Sequence, residues 1–175
     1  MSSRAVDERV RARIRWVAVL VAAGIGALTW PGRAEAHVEP SPAVIRPGTI
    51  ATVSFTIPHG CSGSPTIGVA IKLPAGLLDA KSTAPKGWTV TIRNSIATFR
   101  GGSLPAKTPG KFPITFTAPK NEGKLLFPTV QTCTVGKTSW TEPTPADGAE
   151  PDYPIPTVLV ASSASKTTKT TKRHS

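Results

Sequence analysis

Between Thr49 and Pro58 the chain reads TIATVSFTIP, in which Ile50, Thr52 and Ser54 alternate with Ala51, Val53, Phe55 and Ile57. A period of two in β-branched and aromatic residues, stopped by proline, predicts a half-buried strand. TIGVAIKLP, Thr66 to Pro74, repeats the pattern with Ile67, Val69, Ile71 and Leu73 on one face. Further strands are expected in Trp88–Asn94, Ile96–Gly102, Lys111–Pro119, Leu125–Val135 and Ile155–Ser162, about seven in all. No apolar stretch keeps helical spacing for three turns. Pro47-Gly48, Pro74-Ala75-Gly76, Lys86-Gly87, Asn94-Ser95 and Pro109-Gly110 punctuate the strands at short, regular intervals. The pattern predicts an all-β fold, an antiparallel β-sandwich of immunoglobulin or cupredoxin-like type. Pro113 and Pro128 fall inside strand candidates, which places those strands at an edge or at a bulge. The acidic, proline-rich segment Glu142 to Pro154 reads as a surface loop near one end of the sandwich.

One apolar run does not alternate. Trp16 to Trp30 follows Arg4, Arg9, Arg11, Arg13 and Arg15 and leads to Ala34-Glu35-Ala36, the small-x-small pattern that signal peptidase cuts. Its fifteen residues are fewer than the roughly 20 that a membrane span needs. Residues 1–36 are therefore expected to be a signal peptide, and the protein to be exported, to a periplasm or outside the cell. With no adjacent Arg-Arg pair, general export is favoured over the twin-arginine route. Cleavage leaves 139 of the 175 residues, enough for one domain over 37–161.

The formal charge of +11 changes with that cut: 15 basic and 7 acidic residues remain, or +8. Lys166, Lys169, Lys172 and Arg173 account for four of these in the segment 162–175. Rich in Ser, Thr and Lys and poor in apolar residues, this tail cannot build a core, is expected to be disordered, and offers a basic contact to an anionic envelope surface. The basic residues of the body are scattered, without a basic helix or an aromatic RNA-binding motif, so nucleic acid is not expected as a partner.

Cys61 and Cys133 are the only cysteines. In an exported chain an even pair is most simply a disulfide, and the absence of a C-x-x-C spacing argues against a redox pair.

Histidine is equally scarce. His37, His59 and His174 are the whole supply, and His174 lies in the tail. Cleavage after Ala36 would make His37 residue one, so that its α-amine and Nδ1 could chelate one metal ion. The amine's ordinary pKa of about 8 is low enough for a Lewis-acidic ion to displace its proton near neutrality. Nitrogen donors of this kind suit Cu(II) best among first-row divalent ions. The copper motif with histidine at position three is absent, since His37, Val38 and Glu39 would be the first three residues. His59, in IPHGCSGSP, ends the first strand two residues before Cys61, where it either reaches a site at that pole or caps a turn. Trp140 and Glu142 follow the strand that holds Cys133; tryptophan in such a place is more often packing than function.

Taken together, the Ala-x-Ala ending, the following HVEPSPAVIRPGTIATVSFTIPHGCSGSPTIGVAIKLPAGL, then PKGWTV and FPTVQTCTVGKTSWTE resemble the YcnI-like family of exported copper-binding domains. The likeness covers His37 to Val160. It implies a β-sandwich that binds Cu(II) through the mature amino-terminal histidine, His37, in an arrangement like half of a histidine brace, with Trp140 and an acidic residue nearby. The acidic partner does not carry over, because IPHGC places His59 and Gly60 where other members have a polar or acidic pair. Two versions follow. Either His59 is the third nitrogen, or Glu39 or Glu142 supplies a carboxylate while His59 caps a turn; the first is favoured because a second imidazole raises Cu(II) affinity more than a carboxylate would. Trp140 would shield the ion, and the Cys61–Cys133 disulfide would hold the two loops in register.

The expected function is copper sequestration or delivery, with a copper transport or assembly protein as the receiving partner. The protein is not expected to be an enzyme. The alternatives are a copper-dependent oxidative enzyme acting on polysaccharide, for which the chain is short and has one tyrosine, Tyr153, and a metal-free structural envelope module.

Overall fold

The computed structural model describes residues 37–149 and 151–162; the expected signal peptide, 1–36, and residues 163–175 of the expected tail lie outside the described residues. Twelve strands form among the described residues: β1 (Glu39–Ser41), β2 (Val44–Ile45), β3 (Ile50–Ile57), β4 (Thr66–Lys72), β5 (Leu78–Lys81), β6 (Thr89–Arg93), β7 (Ile96–Leu104), β8 (Gly110–Thr117), β9 (Gly123–Leu126), β10 (Thr129–Cys133), β11 (Lys137–Trp140) and β12 (Thr157–Val160). The all-β, antiparallel expectation holds, with more and shorter strands than the pattern predicts.

The strands assemble into a four-stranded sheet of order β1-β3-β8-β5, a five-stranded sheet of order β11-β10-β4-β7-β6, and a small sheet of order β2-β12-β9. The larger sheets face each other through aromatic contacts. Phe112 of β8 meets Phe99 of β7 at 5.0 Å and Trp88, just before β6, at 5.2 Å. Phe55 of β3 meets Phe127, beside β10, at 4.9 Å. With β8 over β7 and β6, and β3 over β10, the two strand orders run in step. Edge strands β1 and β11 therefore border the same side of the sandwich.

Local chemistry explains the elements. In β3, Val53, Phe55 and Ile57 are buried as the alternation predicts. In β4 a register shift between Thr66 and Gly68 turns the start of the strand over: Thr66 is buried, while Ile67, expected inside with Val69, Ile71 and Leu73, is 40% exposed. Asn94 and Ser95 both have positive φ, 49° and 57°, and join β6 to β7 in a two-residue hairpin. Such a turn matches the right-handed twist of its strands.

The proline expectation needs correction at Pro113. This residue lies in β8, which is interior to its sheet. The reason is local: β5 pairs with β8 only from Leu78↔Thr117 to Lys81↔Thr115, and beyond that the hydroxyl of Ser82 bonds the Pro113 carbonyl at 2.5 Å. On that side a side chain has replaced the strand, so no ladder N–H is missed. Pro128 instead splits the expected Leu125–Val135 strand into β9 and β10, and its carbonyl accepts the Lys72 N–H at 2.9 Å.

At the other end of the fold the segment before β3 divides. β1 pairs with β3, then the chain passes the cis Ser41–Pro42 peptide and β2 pairs in parallel with β12. The end of β12 is latched by Glu122, whose Oε1 accepts both the N–H and the hydroxyl of Ser162; these bonds lower the Glu122 pKa below its ordinary value.

Cys61 and Cys133 form the expected disulfide, joining the β3–β4 loop to the end of β10 at a sequence separation of 72. In the chain-entropy account a loop of that length contributes about 4 kcal/mol. Replacing both cysteines by alanine is expected to lower the unfolding free energy by about that amount in guanidinium titration; a loss under about 1 kcal/mol would mean that the sheets hold this loop without the bridge.

Candidate functional site

The expected site residues are spread over three parts of the fold, two of which meet. β1 pairs with β3 as Glu39↔Thr56, Pro40↔Phe55 and Ser41↔Ser54. His37 precedes β1 by two residues, and Pro58 and His59 follow Ile57 at the end of β3, next to the Thr56 that pairs with Glu39. Val38, at 4% exposure, fills the core, Glu39 after it is exposed, and His37 before it is half-buried at a bend. The β1 start and the β3–β4 loop thus share one pole of the sandwich, and Cys61–Cys133 anchors that pole.

The loop around His59 is closely determined. The ring Nδ1 of His59 lies 2.8 Å from its neighbour's carbonyl, Gly60 O. A carbonyl can only accept, so Nδ1 is the donor, and in the neutral ring Nε2 is then the acceptor nitrogen. The side chain is exposed. This is the turn-capping role expected for His59, and it is also the arrangement by which a ligating histidine is oriented through its second nitrogen.

Gly60 is fixed by crowding. Its N–H bonds Ala106 O at 2.8 Å, and a Cβ there would stand 2.0 Å from Ser64 O. No side chain fits between the two segments, which is why glycine follows His59.

Beneath the loop lies a residue that the sequence reading passed over. Gln131 is 1% exposed, and its Nε2 donates to the His59 carbonyl at 2.7 Å and to Thr66 Oγ1 at 2.5 Å. Parity carries the missing signal: Gln131 is two residues from Cys133, and a disulfide that ties β10 to the β3–β4 loop turns both residues inward.

The carboxylates differ. Glu39 is exposed on β1, two residues from His37. Glu142 is engaged elsewhere: its Oε2 accepts the Tyr153 N–H at 3.1 Å, its N–H bonds Tyr153 O, and its carbonyl accepts from Ile155. Glu142 closes the base of the acidic, proline-rich connection.

Trp140 is in the core at 1% exposure, on the inward face of edge strand β11, opposite Thr129. Its Nε1 is enclosed and meets no acceptor. A buried donor left without a partner costs about 1–3 kcal/mol, so the position invites an explanation. Among the described residues no three His, Cys, Asp or Glu side chains converge.

A protein-family comparison matches residues 37–97 and 93–160 to the family described as Domain of unknown function (DUF1775). The chain belongs to this family. It is the domain family that includes the YcnI-like copper-binding proteins, as the resemblance implied. A solved structure, described as an uncharacterized protein from Nocardia farcinica with an immunoglobulin-like fold, is 24% identical with a TM-score of 0.64, covering 71% of this chain and 98% of that one. It bears out the immunoglobulin-like sandwich. Comparison with curated proteins gives no match.

Within this DUF1775 domain, Gln131→Leu would leave the His59 carbonyl and the Thr66 hydroxyl without their donor. The expected cost is about 1–3 kcal/mol in a denaturant titration, with faster amide exchange across residues 58–64. A variant as stable as the parent, with unchanged exchange, would show that Gln131 does not hold the loop.

Proposed function

We propose that this chain is an exported Cu(II)-binding protein, one that sequesters or delivers the ion to a transport or assembly partner and is not an enzyme. The observation that carries this reading is that the family match opens on His37, the residue that cleavage after Ala36 would expose. As residue one, His37 would add its α-amine and imidazole to a pole where the ring of His59 is exposed and oriented by its Nδ1 bond to Gly60 O. An amine and two imidazoles form a nitrogen set that suits Cu(II).

The geometry also weighs the two versions of the site. Of the two carboxylates, Glu142 spends its oxygen on the Tyr153 N–H, whereas Glu39 opens β1 two residues after His37. If a carboxylate completes the site, Glu39 is the better placed. The enclosed indole N–H of Trp140, on edge strand β11, supports a role around the ion rather than as a nitrogen ligand, because an indole N–H only donates.

Mature protein beginning at His37 is expected to bind one Cu(II) tightly, as read by electron paramagnetic resonance, and the same protein extended by a single alanine before His37 is expected to lose that binding. Equal affinity in the two forms would overturn the reading. His59→Ala is expected to remove one nitrogen from the hyperfine pattern; an unchanged pattern would assign the remaining position to Glu39.

A further inference from the structure

Charge is segregated between the two large sheets. The five strands of the β11-β10-β4-β7-β6 sheet carry Lys72, Arg93, Arg100 and Lys137 and not one Asp or Glu, whereas the facing sheet mixes Glu39 and Asp79 with Lys81 and Lys111. All four cations of the five-stranded sheet are exposed. Register shows how they are arranged. Lys72, Ile96 and Arg93 are cross-strand neighbours in one row. Arg100 pairs with Gly68, Gly68 with Thr132 and Thr132 with Lys137 in a second row.

These rows are four residues apart along the strands, or about 13 Å, and the sheet is about 19 Å across its five strands. Between them runs the row Thr91, Thr98, Ala70, Val130 and Ser139, small or hydroxylated except for Val130. The result is an open face with a low, hydroxyl-bearing floor between two basic margins. In a body with only a modest net charge, four cations on one face and no carboxylate among them create a field that favours an extended anion.

The chemistry narrows the kind of anion. Guanidinium, ammonium and hydroxyl donors complement phosphate oxygens. Nucleic-acid and sugar-ring partners are usually stacked on aromatic faces, but the two aromatic residues of these strands, Phe99 and Trp140, both point into the core at 0% and 1% exposure. An anionic bilayer would be held more firmly by aromatic or amphipathic anchors, which this face also lacks. What fits is a phosphodiester chain without bases or exposed rings.

We propose that the outer face of the five-stranded sheet binds a linear polyol-phosphate polymer, through Lys72, Arg93, Arg100 and Lys137. This surface is the outer face of the sheet, its Arg100–Lys137 row bordering the pole that Cys61–Cys133 anchors, and the inference stands without the copper reading.

The test is fluorescence polarisation of the purified chain with a labelled poly(glycerol phosphate) oligomer. If four phosphates are contacted, raising NaCl from about 50 to about 200 mM should weaken binding on the order of 50-fold, from a slope of roughly 0.7 per phosphate. Arg93→Glu/Arg100→Glu and, separately, Lys72→Glu/Lys137→Glu should each weaken it on the order of tenfold or more. Lys81→Glu/Lys111→Glu removes the same charge from the opposite sheet and should change affinity no more than about twofold, the effect of distant, screened charges. Thermal melts separate a misfolded variant from a binding defect, and the two face variants serve as replicates if one fails to fold. Equal weakening by the opposite-sheet variant would overturn the proposal, as would no measurable binding by the parent. Equally tight binding of oligothymidylate, or of phosphatidylglycerol–phosphatidylcholine vesicles, would overturn the polyol-phosphate assignment in favour of those partners.

Discussion

The bond between Cys61 and Cys133 is the constraint around which the upper part of this domain is arranged. It links the loop that leaves one large sheet to the last residue of a strand in the other. Buried beside it, Gln131 uses one amide group to hold the His59 carbonyl and the Thr66 hydroxyl. Gly60, wedged between Ser64 and Ala106, removes the remaining room. A covalent tie, a pair of hydrogen bonds and a steric exclusion thus act on the same few residues. Each would be modest in a surface loop; acting together they leave the backbone around His59 little freedom. The start of β1 lies alongside, so a rigid wall borders whatever the chain places before Glu39.

Much of this could be read before any coordinates, and the exceptions have causes. The strands of Val53, Phe55 and Ile57 and of Val69 and Ile71 were legible because one face is apolar and the other is not. β1, three residues with a proline, has no such contrast, and it is a strand only because β3 offers an unpaired edge. Ile67 pointed the wrong way because a register shift is invisible to a rule of strict alternation. Pro113 looked like an edge residue and is locally one, since Ser82 stands where the neighbouring strand stops. Gln131 was missed for the opposite reason: polarity alone turns a strand residue outward, and only the parity shared with Cys133 turns it in.

The candidate site follows the same division. His37 and His59 were legible because histidine is rare here and both flank features with strong local signals, a cleavage pattern and a strand end. Glu142 was a reasonable carboxylate on position, but backbone donors from the proline-rich connection claim it. Nothing in the sequence foretold that Trp140 would be enclosed with its N–H unsatisfied, because that depends on how the core closes around it. Buried tryptophans normally find a partner. The exception falls on the side of the sandwich where β1 begins.

The pairing of β2 with β12 has a mechanical meaning. These strands lie near the two ends of the described body and run in parallel, held by Leu159 N–H to Ala43 O at 2.8 Å and Ala161 N–H to Ile45 O at 2.9 Å. Tension applied between the ends of the body would drag the two strands past each other along their length. Their hydrogen bonds would carry that load together rather than open one at a time, as they would in a hairpin pulled from its tips. Glu122 adds a side-chain clasp just beyond the last of them. The domain is built so that a pull on its termini meets shear rather than peeling.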